Sequence, residues 1–233
     1  MDLNKLKIPT DTGEVELKDY SLSTKLISVY FRNQKQVLIE NIRKADVVLG
    51  CIAWLTDYDI LKELSFKDSV IVVQKEDFLR PDIDSGTKKI FNKKLSNAYK
   101  KLKCDVARFE FDNIMNSLSI CTDPGIEPVR CVGNHNSNRV PAFPRMHNKL
   151  IIFCSIVDGD HPESSWKKVI PYAVWTGSYN LTKNACASFE NAVLINDSDI
   201  SKAFYQEFGQ IMVLSEPLDW KQDWVEPEWR IGT

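Results

Sequence analysis

A histidine and a lysine two residues apart, in the stretch RMHNKLIIF (residues 145–153), are the side chains of this sequence best suited to chemistry. If the stretch forms a strand, His147 and Lys149 point to the same face, because side chains alternate along a strand. An imidazole can attack phosphorus or shuttle a proton near neutral pH. An ammonium group beside it can hold an anionic oxygen, so the pair suits phosphoryl chemistry.

Three further polar side chains follow in an order that suits the same reaction. Ser178 and Asn180, in TGSYNLT (176–182), would donate hydrogen bonds to the oxygens of a pentavalent phosphorus, which carry the developing negative charge. Glu190, the first residue of ENAVLI, would accept a hydrogen bond from the second ring nitrogen of His147 and so fix its tautomer. One nucleophile, one cation, two donors and one orienting carboxylate suffice for phosphodiester cleavage without a metal ion.

The composition of the chain does not indicate a function, so the prediction of function depends on these motifs. Of its 233 residues, 43% are hydrophobic, which is enough for a core, and the formal net charge of −2 argues against coating nucleic acid through the overall field. No apolar run approaches the ~20 residues of a membrane-spanning helix, and the N-terminus lacks a secretory signal, so we expect a cytoplasmic protein without membrane contact. The six cysteines show neither C-x-x-C pairs nor zinc spacing, so we expect buried reduced thiols, no metal and no cofactor.

Helix and strand patterns alternate along the first half of the chain. A helix is predicted over 24–45, and then a strand at DVVLGCIAWL, a helix at YDILKELSF, a strand at SVIVVQ, a helix at DSGTKKIFNKKLSNAYKKLK and a strand at DVARFEF. Later strands are predicted at RMHNKLIIF, PYAVWTG and ENAVLIN, with a helical segment at NLTKNACASF and a helix at DSDISKAFYQEFGQIM. The alternation predicts an α/β fold with a central mixed β-sheet and helices on both faces. We expect one domain over 1–233, with its core at about 24–212 and a tryptophan-rich tail at 213–233.

The order of the chemistry-bearing residues resembles the motifs of the phospholipase D superfamily. HNK at 147–149 matches its H-x-K motif, and GSYN at 177–180 matches its G-S-x-N motif. EN at 190–191 matches the Glu-Asn pair that opens the next strand in nuclease members of that superfamily. The resemblance implies a phospholipase D-like domain.

The resemblance also implies a role for each of the five residues. His147 would attack phosphorus and form a phosphohistidine, while Lys149, Ser178 and Asn180 would bind the phosphate. Glu190 would orient the imidazole.

The family mechanism needs two histidines, because a second one protonates the leaving oxygen and later activates water. His135 and His161 are not followed by a lysine two residues on, so the chain holds one H-x-K. The resemblance therefore implies a homodimer in which two copies of His147 face each other across a two-fold axis, and their coupled titration makes one the base and the other the acid.

One position departs from the family pattern. In the family, the H-x-K motif is followed by four residues of any type and then an aspartate. In this sequence, Cys154 stands at the position of that aspartate. Asp158 or Asp160 is the candidate to take its place in space. The interval from His147 to Ser178 is also long, and a polar excursion at 155–170 accounts for the difference.

The function implied by the resemblance is metal-independent hydrolysis of a phosphodiester, with DNA or RNA as the substrate of an endonuclease. Short members with one H-x-K and a Glu-Asn pair resemble nucleases. Two alternatives stay open: a phospholipase D-type lipid phosphodiesterase, and a catalytically inactive nucleic-acid-binding member. A third possibility is that the protein is the nuclease component of a defence or restriction system, in which a partner protein supplies the specificity.

Three other features have ordinary structural explanations. Seven lysines between 88 and 103 predict a solvated helix face, with phosphate-backbone contact as the alternative. Trp54 is expected to pack in the core. The three tail tryptophans would cap the core or the dimer interface, with base stacking as the alternative; they are Trp220, Trp224 and Trp229.

Overall fold

The computed structural model of the chain describes residues 2–3, 5–76, 86–106, 109, 111, 128–133, 145–158 and 167–218. Its strands in chain order are β1 (Lys7–Thr10), β2 (Gly13–Glu16), β3 (Leu22–Ser23), β4 (Ile27–Tyr30), β5 (Val47–Ile52), β6 (Asp68–Gln74), β7 (Val129–Val132), β8 (Lys149–Asp158), β9 (Lys167–Gly177), β10 (Ala192–Ile195) and β11 (Glu216–Pro217). Its α-helices are α1 (Gln34–Lys44), α2 (Tyr58–Leu64), α3 (Gly86–Tyr99) and α4 (Ser198–Val213), and a 3-10 helix spans Lys183–Ala187.

Nine of the strands form one mixed sheet in the order β11-β7-β6-β5-β8-β9-β10-β4-β3, while β1 and β2 form a separate hairpin. Strands β5, β6 and β7 are parallel, and β5 is antiparallel to β8, β8 to β9 and β9 to β10. Strand β5 is buried at every residue, as the apolar run VVLGCI requires of a strand covered on both faces.

The helices cover both faces of the sheet. Helices α1, α2 and α3 contribute Leu38, Leu61 and Leu95 to one buried cluster, which includes Ile151 and Trp175 of the sheet. Helix α4 contributes Tyr205, Phe208 and Met212 to a second cluster on the other side. The predicted mixed sheet with helices on both faces is confirmed.

Two of the predicted elements are wrong. The helix predicted over 24–45 begins only at Gln34, because ISVY (27–30) forms β4 and pairs with β10, and Asn33 adopts a left-handed backbone at φ 55° before the helix. The strand predicted at DVARFEF is absent at its described residues, and VRCV of β7 takes the place beside β6. A short apolar run fits both the 3.6-residue period of a helix and the two-residue period of a strand. Pairing with segments distant in sequence therefore decides which of the two forms.

A buried ion pair joins the end of β6 to the short edge strand β11. Lys75, which directly follows β6, has a fully buried side chain and donates a hydrogen bond to the carboxylate of Glu216. The neighbouring Arg130 of β7 donates to the hydroxyl and carbonyl oxygens of Ser215. The chain after α4 is thereby fastened to the sheet. The tryptophans predicted to cap the core lie outside the described residues.

Four of the cysteines are buried free thiols, as predicted: Cys51, Cys104, Cys131 and Cys154. Cys186 is a half-buried free thiol. Within the described ranges, no helix combines the length and the apolar character needed to cross a membrane.

Candidate active site

The candidate site lies at one end of the sheet, where β5, β6 and β9 end and β8 and β10 begin. In the register of the sheet, Ile52 is opposite Lys149, and Gly177 is opposite Ala192. The loops that leave or enter these strands therefore meet at the same edge. Four of the five predicted residues lie in them, and Lys149 begins β8.

Two hydrogen bonds from neighbouring strands fix the segment that carries His147. The backbone N–H of Met146 donates to Oε1 of Gln74 at 2.7 Å, and the N–H of Ala53 donates to the carbonyl oxygen of Asn148 at 2.9 Å. The prediction that His147 belongs to a strand is wrong, since β8 begins at Lys149. The backbone of His147 is held instead by the ends of β5 and β6.

The His147 ring lies directly against the Lys149 ammonium group. Nζ of Lys149 is 3.4 Å from both Nδ1 and Nε2 of the ring, and it donates to the carbonyl oxygen of His147 at 3.1 Å. The positive charge of Lys149 lowers the pKa of His147, with smaller contributions from burial and from Arg145. The neutral ring, which keeps a lone pair for attack, is thus favoured at neutral pH.

Burial and a nearby carboxylate have opposite effects on the pKa of Lys149. Burial lowers the pKa of Lys149, and the charge of Glu190 partly opposes that effect.

Trp54 packs against the other part of the pair. Its ring meets the His147 ring edge to face, with centroids 6.0 Å apart and planes at 87°. Trp54 is 37% exposed, so the prediction that it packs in the core is wrong.

Ser178, Glu190 and Asn191 form a compact hydrogen-bonded group. The Ser178 hydroxyl donates to Oε2 of Glu190 at 2.5 Å and accepts from the N–H of Asn191 at 3.0 Å. The backbone N–H of Ser178 donates to the carbonyl oxygen of Asn191 at 3.0 Å. Among the described residues, Glu190 makes no hydrogen bond to the His147 ring; its carboxylate accepts from Ser178 instead.

Gly177, the glycine of the G-S-x-N motif, permits this group to form. Its φ of +150° is a conformation that residues with a side chain rarely adopt. A Cβ atom at Gly177 would lie 2.3 Å from the carbonyl oxygen of Asn191. From the other side, Nε2 of the buried Gln34 donates to the carbonyl oxygen of Glu190 at 2.6 Å. The backbone around Glu190 is therefore held on two sides.

Asn180 lines a cleft of about 470 Å³ beside this group. Trp54, Thr56 and Glu190 also line the cleft. The N–H of Thr56 donates to the carbonyl oxygen of Leu181 at 2.8 Å, which ties the loop after β5 to the loop after β9. Oδ1 of Asn180 is buried, and within the part of the chain that the structure describes it has no hydrogen-bond partner. This oxygen can accept a hydrogen bond from a donor on a bound group, whereas an anionic oxygen would bind to the Nδ2 donor of the same amide.

The aspartate position of the family motif is filled by a buried thiol. Cys154 is fully buried in the cluster under α4, and burial raises the pKa of its thiol. Asp158 does not replace the aspartate, because it lies at the far end of β8, about 30 Å from Lys149 for a strand of ten residues. Asp160 lies outside the described residues. In the described ranges, no group of three or more His, Cys, Asp and Glu side chains is arranged to hold a metal ion.

Sequence reasoning missed the residues that position the site. Gln74 and Gln34 act through their side-chain amides on the backbone of the H-x-K and Glu-Asn segments. Gln74 is the first polar residue at the end of the apolar run SVIVV, which is a usable signal. Gln34 carries no such signal, because its contact with Glu190 spans 156 residues of sequence.

We predict that Lys149→Met raises the pKa of His147, because it removes the positive charge that lowers it. Histidine NMR titration measures the midpoint, and His147→Ala identifies the resonance among the three histidines. Lys168→Met, at the opposite end of the sheet, is the control and should leave the midpoint unchanged. An unchanged or lower midpoint in Lys149→Met would contradict the described electrostatics.

We predict that Gly177→Ala destabilises the fold more than Gly13→Ala does. Gly13 also has a positive φ, of 141°, but a Cβ there meets nothing within 4 Å, so Gly13→Ala reports the backbone cost alone, about 1–3 kcal/mol. The overlap with Asn191 should add about 1–3 kcal/mol to the loss of unfolding free energy in Gly177→Ala. Urea unfolding measures both values, and equal losses would count against the close approach.

Comparisons with known proteins bear on the family of the chain. No family model matches it. Solved structures to which it is similar include the phospholipase D family member Nuc from Salmonella typhimurium, at 19% identity and a TM-score of 0.42 over 79% of this chain and 91% of Nuc. NucT from Helicobacter pylori is similar at 15% identity and a TM-score of 0.42, over 79% of this chain and 95% of NucT. The uncharacterized protein L381 of Acanthamoeba polyphaga mimivirus is 32% identical over 234 aligned positions, which cover 95% of this chain and 75% of L381. The chain belongs to the same protein family as L381.

Proposed function

We propose that this protein is a metal-independent phosphodiesterase that cleaves DNA or RNA through a phosphohistidine. The observation that carries the proposal is the contact between the His147 ring and the Lys149 ammonium group, at the sheet end where Ser178, Asn180 and Glu190 meet. The order of these residues, which resembles that of the phospholipase D superfamily, supports the same chemistry.

In the first step, a ring nitrogen of His147 attacks phosphorus. An N–P bond forms as the P–O bond to the leaving nucleoside breaks. The Lys149 ammonium group and the Nδ2 group of Asn180 donate hydrogen bonds to the non-bridging oxygens, whose negative charge increases in the transition state. The lowered pKa of His147 favours this step, since a protonated ring has no lone pair for attack.

A second copy of His147, from the partner subunit of a homodimer, acts as the acid and then as the base. In its protonated form it gives a proton to the leaving oxygen. The now neutral ring accepts a proton from water, whose oxygen attacks phosphorus and breaks the N–P bond. Both rings return to their starting states, and the two-fold axis supplies both roles from one sequence.

Ser178 and Glu190 change partners in the proposed reaction. In the structure, the Ser178 hydroxyl donates to Glu190. When phosphate enters, the hydroxyl donates to a phosphate oxygen instead, and the released carboxylate accepts from the other ring nitrogen of His147. Glu190 then stabilises the positive charge that the ring gains on forming the N–P bond.

We predict that His147→Ala lowers the cleavage rate by at least about 10³-fold, because it removes the nucleophile. Labelled DNA, labelled RNA and bis(4-nitrophenyl) phosphate are tested in EDTA. Asn148→Ala, which alters the exposed neighbour and keeps the ring, is the matched control. Retained activity in His147→Ala, or loss of wild-type activity in EDTA, would overturn the mechanism. Hydrolysis of phosphatidylcholine vesicles without cleavage of DNA or RNA would favour the lipid alternative.

We predict that a mixed dimer of one wild-type and one His147→Ala subunit is inactive, since each reaction uses both rings. Two different affinity tags on co-expressed subunits isolate the mixed dimer, and a doubly tagged wild-type dimer is the control. Independent sites would leave about half of the activity. Failure to recover any doubly tagged protein would rule out the dimer itself.

A further inference from the structure

Two exposed aromatic side chains belong to the loops that form the candidate site, and neither has a role in the proposed phosphoryl chemistry. Trp54 is 37% exposed, and Phe189 is 71% exposed. By contrast, Trp175, further back on β9, is 1% exposed. Large aromatic surfaces left in water beside a reaction centre are suited to flat ligands that stack on them.

Trp54 is fixed in place next to the nucleophile. The N–H of the preceding Ala53 donates to the carbonyl oxygen of Asn148, so the loop of Trp54 is bound to the segment that carries His147. The Trp54 ring lies 6.0 Å from the His147 ring and lines the cleft with Asn180 and Glu190. A group covalently attached to a phosphate at His147 would therefore lie within reach of the indole.

Phe189 and Arg32 form a second platform next to Glu190. The guanidinium carbon of Arg32 lies 5.6 Å from the centroid of the Phe189 ring. Arg32 follows β4, whose last residue, Tyr30, is opposite Ala192 of β10, so both side chains lie at the active-site end of the sheet. An arginine stacked on an aromatic ring combines a cation for phosphate with a surface for a base.

We infer that the substrate is a single-stranded nucleic acid whose bases stack on Trp54 and Phe189 on either side of the scissile phosphate. This inference rests on the proposed function. In a duplex, the faces of the bases are covered by neighbouring base pairs, so these rings would have nothing to bind. Base stacking on an aromatic side chain is independent of base identity, which predicts cleavage with little sequence preference.

Charge supports a strand of nucleic acid over a lipid surface. Arg32, Arg145 and Lys149 carry positive charge at this end of the sheet and outnumber the two carboxylates that line the cleft, Glu76 and Glu190. Trp54 is flanked by the polar Thr56 and Asn180 in the cleft, whereas a membrane-inserting surface would be apolar around it.

The test compares a strand with bases and a strand without them. A 12-residue DNA strand carries one central phosphodiester, with uncharged methylphosphonates elsewhere, and in a second strand the two sugars that flank the phosphodiester lack bases. Wild-type protein should cleave the second strand with a kcat/KM about 30- to 25,000-fold lower, the fold-change that corresponds to about 1–3 kcal/mol of stacking for each of the two missing bases. Trp54→Ala should abolish the share of this difference that comes from the base on Trp54, about 5- to 150-fold, and Trp54→Phe should keep part of that share.

The control and the remaining strands make each outcome decisive. Phe66→Ala removes a ring that is 65% exposed at the opposite end of the sheet, just before β6, and should discriminate as wild type does. The same sequence as a duplex should be cleaved more slowly than the single strand. A single RNA strand of the same sequence shows which of the two nucleic acids the protein cleaves faster. Equal cleavage of strands with and without bases, or of duplex and single strand, would overturn the inference while leaving the phosphodiesterase proposal intact. Absence of any cleavage that depends on His147 would overturn the phosphodiesterase proposal itself.

Discussion

The site depends on the close approach of two backbone segments at Gly177 and Asn191. The absence of a Cβ at Gly177 lets the end of β9 contact the residue before β10. The N–H of Ser178 then donates to the carbonyl oxygen of Asn191, and the N–H of Asn191 donates to the Ser178 hydroxyl. This contact places a hydroxyl donor on the carboxylate of Glu190 and fixes both beside the cleft. The geometry of the site therefore requires glycine at this position of the motif.

The fold could be predicted where burial alone determines the structure. Strand β5 is buried at every residue, and β6 is buried at every residue except Asp68. Asp57 and Asp197 accept hydrogen bonds from N–H groups in the first turns of α2 and α4, as their sequences suggest. Prediction failed where a partner distant in sequence decides. The short strand β4 exists because it pairs with β10, and β7 holds its position in the sheet through β6 and β11.

The proximity of the side chains of the site could be predicted from residue types and spacing, but their hydrogen bonds could not. His147 and Lys149 are in contact as expected, although the strand that was to align them begins at Lys149. Ser178 and Glu190 are bonded to each other, a pairing that depends on the register of β9 and β10. A sequence gives the identities of such groups, whereas the register of the sheet gives their partners.

The hydrogen bond from Met146 to the side chain of Gln74 affects how relatives of this protein should be judged. Gln74 is almost wholly buried and lies outside every motif, yet its amide oxygen anchors the residue before His147. A homologue that keeps H-x-K and G-S-x-N but has leucine at this position would pass any motif search. Its histidine would nevertheless follow an unsatisfied backbone N–H, so motif conservation alone overestimates how many relatives keep the histidine in this position.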